Sequence, residues 1–169
     1  MIDKFSDKKL LDNIQILVRE ERMTLEKILE VLQEIQRRRL YADLGYSSLF
    51  KFLVKELKYS EGAAARRVGA LRLVNKVPEA KKMIAEGELN LTVAAQAQNF
   101  TKDKNKAETK KVLSKVKNKT KNEATIELLK MLPNSTTAKR EKKEQITPSQ
   151  TRIHLTVSNT TLEKLEKFK

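Results

Sequence analysis

Hydrophobic positions recur at helical spacing along most of the first 133 residues, and the pattern predicts a bundle of helices. Ser6 is a predicted N-cap for a helix that reaches about residue 22, and Thr24 is a predicted N-cap for a second helix that Gly45 ends. The pattern at residues 23–24 is consistent both with a break and with a bend of one longer helix. The second helix carries one clean apolar stripe, made of Leu25, Ile28, Leu29, Leu32 and Ile35.

Two further helical patterns, at residues 48–57 and 61–75, are separated only by Lys58, Tyr59 and Ser60. A joint this short favours two helices packed at a steep angle, so we predict a helix-turn-helix at about residues 46–75. Ser60 is a suitable N-cap for the second helix, which is the helix that carries base and phosphate contacts in DNA-binding proteins of this type. The candidate DNA contacts here are Ser60, Glu61, Arg66, Arg67 and Arg72.

Shorter helices follow, and lysine becomes frequent after Thr101. Residues 79–86 and 91–98 read as two short helices, the first begun by Pro78 and ended by Gly87. A capping box at Thr120 and Glu123 begins a helix that Pro133 closes. The lysine-rich helix between them offers phosphate contacts that do not depend on base sequence. Its candidate contacts are Lys110, Lys111, Lys115 and Lys117.

The last part of the chain has a different pattern. Residues 134–150 hold almost no large apolar side chains and are predicted to be a flexible basic linker. Residues 151–157 alternate strictly between polar and apolar, which predicts a strand, and a capping box at residues 160–163 begins a short helix. Because a lone strand is not stable, this strand–helix appendage (151–169) is expected to pair with a missing segment or with a second chain, giving a homodimer.

Composition points to a polyanionic partner. The chain has 169 residues and a formal net charge of +14, and its pI is about 9.9. A charge of this sign attracts nucleic acid, and we expect duplex DNA as the partner. RNA is the second choice, because aromatic residues, which stack on single-stranded bases, make up only 5% of the chain. Three arginines at residues 37–39 suit either a helix C-terminus or phosphate contact.

No catalytic site can be assembled from the residues. The chain has no cysteine and one histidine, His154, which lies on the polar side of the predicted strand. Its scattered glycines form no phosphate-binding loop, so we predict no enzyme activity, no cofactor and no metal. The N-terminus lacks the apolar segment of a signal peptide, and no apolar run is long enough to cross a membrane. A cytoplasmic, nucleoid-associated protein with no membrane partner is expected.

Residues 45–95 resemble the helical N-terminal region that precedes the nuclease domain in many bacterial HNH endonucleases. The resemblance extends back through RRRLYADLGYSS and forward through the capping box at Thr120 and the RIHLTVS strand. The helix pair also resembles the ParB-type helix-turn-helix, although Lys58 stands where that pattern has a turn glycine and Ala64-Ala65 replace Val-Ser. The positions that fit the ParB pattern are Leu57, Ser60, Arg66, Arg67, Gly87, Leu89 and Leu91.

These resemblances imply a DNA-recruiting module. The paired histidines, asparagine and zinc-binding cysteines of the HNH nuclease domain have no counterpart in this sequence. Base reading would depend on Glu61, Arg66 and Arg67, since the alanines of the second helix carry almost no hydrogen-bonding code. The main hypothesis is a non-enzymatic bacterial DNA-binding protein. The alternatives are the recruiting part of an HNH endonuclease whose catalytic domain is missing, and a helical dimerisation module.

Overall fold

The first helix, α1 (Asp7–Arg38), is continuous over 32 residues. In the computed structural model, which describes residues 5–131, 142–147, 149–154 and 157–167, Ser6 caps this helix by accepting a hydrogen bond from the Lys9 N–H at 3.4 Å. The predicted cap at Thr24 is wrong, because no proline or glycine near it interrupts the helical hydrogen bonds. Nor does Gly45 end this helix: Arg39 does, in the left-handed conformation with φ 59°.

The next segment leads into the predicted helix pair. A short helix, α2 (Leu40–Asp43), precedes Gly45, which has φ +81° and turns the chain there. Helix α3 (Leu49–Lys55) and helix α4 (Glu61–Lys76) then form where the sequence predicts them, and α3 is shorter than predicted. Ser60 caps α4, so its predicted role is confirmed, and Ser48 caps α3 in the same way.

Four helices complete the bundle: α5 (Glu79–Ala85), α6 (Leu91–Phe100), α7 (Lys106–Val116) and α8 (Lys121–Lys130). Asn90 caps α6, and capping boxes begin α7 at Asn105 and α8 at Thr120. Pro78 lies at the N-cap of α5 rather than at its first helical position, and α6 continues to Phe100. Gly87 has φ +78° and ends the α5 segment, as predicted.

Helix α4 connects two clusters of buried side chains. Its Ala64 and Leu71 pack with Leu32, Leu49, Phe52 and Leu53 in one cluster. Its Ala70, Leu73 and Val74 belong to the larger cluster, which also draws residues from α1, α5, α6, α7 and α8. Because α4 is packed on both of these sides, only a narrow strip of it faces solvent.

The contacts divide the chain into two units, residues 1–131 and 132–169, and the second contains a hairpin. Strand β1 (Lys142–Thr147) pairs antiparallel with strand β2 (Gln150–His154), and helix α9 (Asn159–Glu166) follows. The prediction that the strand lacks a partner within the chain is therefore wrong. β1 was missed because its sequence, KKEQIT, is charged and lacks the alternation of apolar residues by which β2 was recognised.

Two predictions for this region lie outside the described residues, namely the helix end at Pro133 and the 134–141 part of the linker. Part of the predicted linker, residues 142–147, is β1. The mainly helical fold is confirmed, with a two-stranded antiparallel sheet as its only β structure in the part of the chain that is described.

Candidate nucleic-acid interface

The turn between α3 and α4 has the backbone geometry that normally requires glycine. Lys58 has φ +57°, in the left-handed region, and its ammonium donates a hydrogen bond to the Lys55 carbonyl at 2.6 Å. The Tyr59 N–H then donates to the Leu53 carbonyl at 3.0 Å, which folds the turn back on α3. Lys58 thus adopts the conformation for which a turn of this type usually uses glycine.

The exposed strip of α4 forms one wall of a shallow groove of about 340 Å³. Helix α6 supplies the other wall, because Gly69 of α4 lies against Ala95 of α6 and lets the two helices approach closely. A Cβ atom added at Gly69 would come within 2.8 Å of the Ala95 Cβ. The groove is lined by Phe50, Ala65, Arg66, Val68, Gly69, Arg72, Ala95 and Asn99.

Arg66 and Arg72 supply the positive charge of this groove. Both side chains are exposed, and none of the ion pairs formed among residues 5–131 involves either of them. Exposed Ala65 lies beside Arg66 in this lining, and Gly69, between the two arginines in sequence, is partly covered by Ala95 of α6. This arrangement suits an extended anionic chain that passes along α4.

Arg67 has a different environment from the two other predicted arginines. It is half-buried, its guanidinium carbon lies 4.1 Å from the centre of the Tyr59 ring, and its Nη1 donates to the Ala63 carbonyl at 3.2 Å. Cation–π contact of this kind holds Tyr59 against the start of α4. The geometry therefore gives Arg67 a structural role in the turn.

Ser60 and Glu61 lie at the N-terminus of α4, and both are exposed. The Ser60 hydroxyl accepts a hydrogen bond from the Ala63 N–H at 3.3 Å. Glu61 is the acidic residue of the first turn, where its charge interacts favourably with the helix dipole. Its negative charge would repel phosphate at the same place.

The four predicted lysines lie in α7 and directly after it, and none of them lines the groove that holds Arg66 and Arg72. Lys110 pairs with Glu79, and Lys117 pairs with Glu88 at 2.6 Å, and both lysines line a second groove between α5 and α7. The Lys110 ammonium holds the pKa of the Glu79 carboxyl below its ordinary value. In contrast, Lys111 and Lys115 are exposed, and within residues 5–131 neither forms an ion pair.

At the end of α1, the Arg37 and Arg38 guanidinium groups both bind Glu34. The Arg37 Nη2 lies 2.6 Å and the Arg38 Nε 2.5 Å from a Glu34 carboxylate oxygen. Hydrogen bonds from Arg37 and then Arg38 lower the pKa of Glu34 to about 2. The arginines thus have a structural partner, although the contacts leave both side chains exposed.

Phe50 and Asn99 line the groove, but they were missed as candidates from the sequence. Asn99 lies near the end of α6, where the pattern indicates only which residues face the core. Its place in the same groove as Arg72 depends on how α6 packs against α4, where Gly69 lies against Ala95. No local signal in the sequence reports such a contact.

Two other kinds of feature, metal sites and membrane-spanning helices, were sought among the described residues. Within residues 5–131, 142–147, 149–154 and 157–167, no three His, Cys, Asp or Glu side chains are grouped so that they could hold a metal ion. Across the same ranges, every helix is too short or too polar to cross a membrane.

No protein-family profile, curated protein or solved structure matches the chain.

Proposed function

We propose that this chain is a non-enzymatic bacterial DNA-binding protein that docks on duplex DNA through the α3–α4 pair. The observation that carries the proposal is the groove on α4, where Arg66 and Arg72 flank small residues on an exposed helix face. The net charge of +14 supports the same conclusion, because a field of that sign draws the protein toward phosphate.

In this proposal the arginines and the lysines make different contacts with the DNA. Arg66 and Arg72 contact the DNA at α4, with Ser60 and Asn99 as neutral hydrogen-bonding groups nearby. Lys111 and Lys115 of α7 add phosphate contacts away from α4, and Lys110 and Lys117 contribute less because Glu79 and Glu88 already neutralise them. Arg67 acts indirectly by fixing the turn.

Specificity for a particular base sequence should be modest. Apart from the two arginines and Asn99, the residues that line the groove are apolar and offer no side-chain hydrogen-bond donors or acceptors to base edges. Most of the binding free energy then comes from phosphate contacts, which are sensitive to salt. The proposed protein is a docking module that would concentrate on DNA in the cytoplasm, among other nucleoid-associated proteins.

A salt series tests this proposal. The affinity of the full chain for a mixed-sequence duplex is measured from about 50 mM to about 200 mM salt, and it should fall roughly 10³-fold or more if six or more phosphates are contacted. Lys115→Ala should weaken binding to all sequences alike and reduce the salt slope by about 1, whereas Arg66→Ala should also relax any sequence preference. Absence of binding at low salt contradicts the proposal.

The HNH alternative gives the same groove a role as the recruiting part of a nuclease. It would be favoured if the gene continues past Lys169 into a frame rich in cysteine and histidine.

The RNA alternative is tested by comparing ligands. Single-stranded RNA as the preferred ligand would be shown by tighter binding than to duplex DNA at matched salt. Neither the nuclease test nor the RNA comparison depends on the outcome of the salt series.

A further inference from the structure

Helix α1 carries two apolar stripes. One is buried against the bundle, and the other is only partly covered within the molecule, where its Ile28 and Ile35 pack against the smaller cluster. Leu25, Leu29 and Leu32 face the bundle, where Leu29 and Leu32 are fully buried. The second stripe repeats at alternating spacings of four and three residues, which is the pattern of a coiled-coil seam. Its apolar members are Leu10, Ile14, Leu17, Ile28, Val31 and Ile35.

Much of this second stripe is exposed. Ile14 is 52%, Leu17 51% and Val31 60% accessible to solvent. Between Leu10 and Ile35 the helix rises about 38 Å, so the stripe extends over most of α1. An apolar face of this length on one helix indicates a partner surface.

The C-terminal half of the stripe forms one wall of an apolar groove of about 390 Å³. Ile28, Val31 and Ile35 lie on the α1 side of this groove, and Leu57 and Tyr59 from the α3–α4 segment lie across it. The N-terminal half of the stripe has no such wall opposite it in residues 5–131. One half of α1 therefore offers a groove, and the other half offers an apolar ridge that could fill one.

We propose that α1 pairs antiparallel with α1 of a second copy of this chain, so that the ridge of each copy fills the groove of the other. In one register, Leu10 of one copy faces Ile35 of the other, Ile14 faces Val31, and Leu17 faces Ile28. A twofold axis relates the two copies, as in most homodimers. The inference does not depend on the proposed DNA binding.

The polar residues of α1 fit the same register. At its centre, the two remaining positions of the stripe, Glu21 and Thr24, face each other, so that the hydroxyl can donate a hydrogen bond to the carboxylate. On the flank, Glu20 of each copy faces Lys27 of the other, and the symmetry makes two such ion pairs. Both flanking side chains are exposed in the single chain. In a parallel pair, Glu21 would instead face its own copy, and two buried carboxylates would repel each other.

Charge reversal tests the proposed register. Sedimentation equilibrium of the full chain should show a monomer–dimer equilibrium, and Glu20→Lys or Lys27→Glu should each weaken it roughly tenfold or more, because like charges then face each other. A chain with both changes should recover dimerisation. An equal mixture of the two single variants should form heterodimers, since both of their flanking pairs are then complementary. Arg19→Glu, a reversal on the opposite face of α1, is the matched control and should have little effect.

Cross-linking distinguishes antiparallel from parallel pairing, because the chain has no cysteine of its own. A mixture of Glu21→Cys and Thr24→Cys chains should give a disulfide-linked dimer under mild oxidation, and each variant alone should give much less. Efficient linking of each variant alone would indicate parallel helices and would overturn the proposed register. Circular dichroism verifies that every variant keeps its helical content.

Two further results would overturn the proposal. The first is a monomer throughout a series from about 1 µM to about 1 mM, since this range covers the affinities expected of a functional dimer. The second is a dimer that responds to none of the α1 changes. If Leu17→Glu abolishes binding to vesicles of acidic lipid while the chain stays monomeric, the stripe serves a membrane surface and the second-copy proposal is wrong.

Discussion

Gly69 of α4 lies so close to Ala95 of α6 that a Cβ atom at position 69 would approach the Ala95 Cβ to 2.8 Å and its Cα to 3.1 Å. Atoms do not pack at such distances, so a side chain at position 69 would force the two helices apart. The close contact lies beside the buried residues that α4 and α6 both contribute to the larger cluster. Arg72 and Asn99 line the same groove as Gly69 and Ala95, so their spacing depends on how closely the two helices pack.

Gly69→Ala should lower the free energy of unfolding by about 1–3 kcal/mol, which is the usual cost of overpacking. Alanine favours a helix over glycine by about 1 kcal/mol, so a loss of stability would show that packing outweighs propensity here. Chemical denaturation of the variant measures this change.

Gly62→Ala is the matched control, because it makes the same substitution in the same helix. The added Cβ would meet only the end of the flexible Arg66 side chain, at 3.3 Å. It should raise the free energy of unfolding by about 0.5–1 kcal/mol. Equal effects of the two substitutions would contradict the close packing of Gly69 on Ala95.

Lys58→Gly should stabilise the chain. Lys58 has φ +57°, a conformation that costs an ordinary residue roughly 1–2 kcal/mol and glycine almost nothing. After subtracting the entropy that glycine loses on folding, the expected gain is about 0.5–1 kcal/mol. Thermal and chemical denaturation should both show it. Lys51→Gly, in the exposed part of α3, should instead lose about 1 kcal/mol, and a loss at both positions would argue against the left-handed turn.

Arg66 and Arg67 are neighbours in sequence, but alanine at the two positions should change stability to different extents. Arg67→Ala removes the contact with Tyr59 and should lower the free energy of unfolding by about 1 kcal/mol. Arg66→Ala should change stability by no more than about 0.5 kcal/mol, because its side chain is exposed. Chemical denaturation of the two variants measures both changes in the free energy of unfolding. If Arg66→Ala is the more destabilising change, the assignment of roles is reversed.

The pair of arginines on Glu34 should make stability depend on pH. The folded-state pKa of Glu34 is about 2, below its ordinary value of 4.5. Its contribution to stability is therefore fully present above about pH 4.5 and is lost as the pH falls toward 2. The effect should be small, because the pair is exposed to solvent.

Thermal midpoints measured from pH 5 to pH 2 test this sign. Glu34→Gln should lower the midpoint at pH 5 and have less effect at pH 2, where the wild-type carboxyl is becoming protonated. Glu86→Gln, which leaves the Glu34 pair intact, is the control. A Glu34→Gln effect that grows as the pH falls would contradict the ion pairs.

Most of the helices could be predicted from the sequence because their signals are local. Ser48, Ser60 and the capping box at Thr120 mark helix starts by bonds to residues three positions away. Continuity of α1 could not be settled in this way, since both a cap at Thr24 and an unbroken helix satisfy the local pattern. Packing does not distinguish the two possibilities either, because the α1 residues that pack in or against the core, such as Leu25, Leu29 and Leu32, all follow Thr24.

The candidate site was harder to predict from the sequence than the helices, because it depends on contacts between residues that are far apart along the chain. Charge alone placed the lysines of α7 and the arginines of α4 in one interface. Lys110 and Lys117 are instead held by Glu79 and Glu88, which lie about 30 positions earlier and come close only through the fold. Similarly, the burial of Arg67 on Tyr59 depends on the three-dimensional path of the turn.

In the proposed function, the α4 groove is the surface that binds DNA. The most direct test compares duplex-DNA affinity of the full chain with that of Arg66→Ala/Arg72→Ala, using Lys82→Ala on α5 as a charge control. The double variant should lose roughly tenfold or more in affinity and reduce the salt slope by about 2, while Lys82→Ala stays near wild type. If the double variant and the control bind equally well, the groove is not the DNA-binding surface.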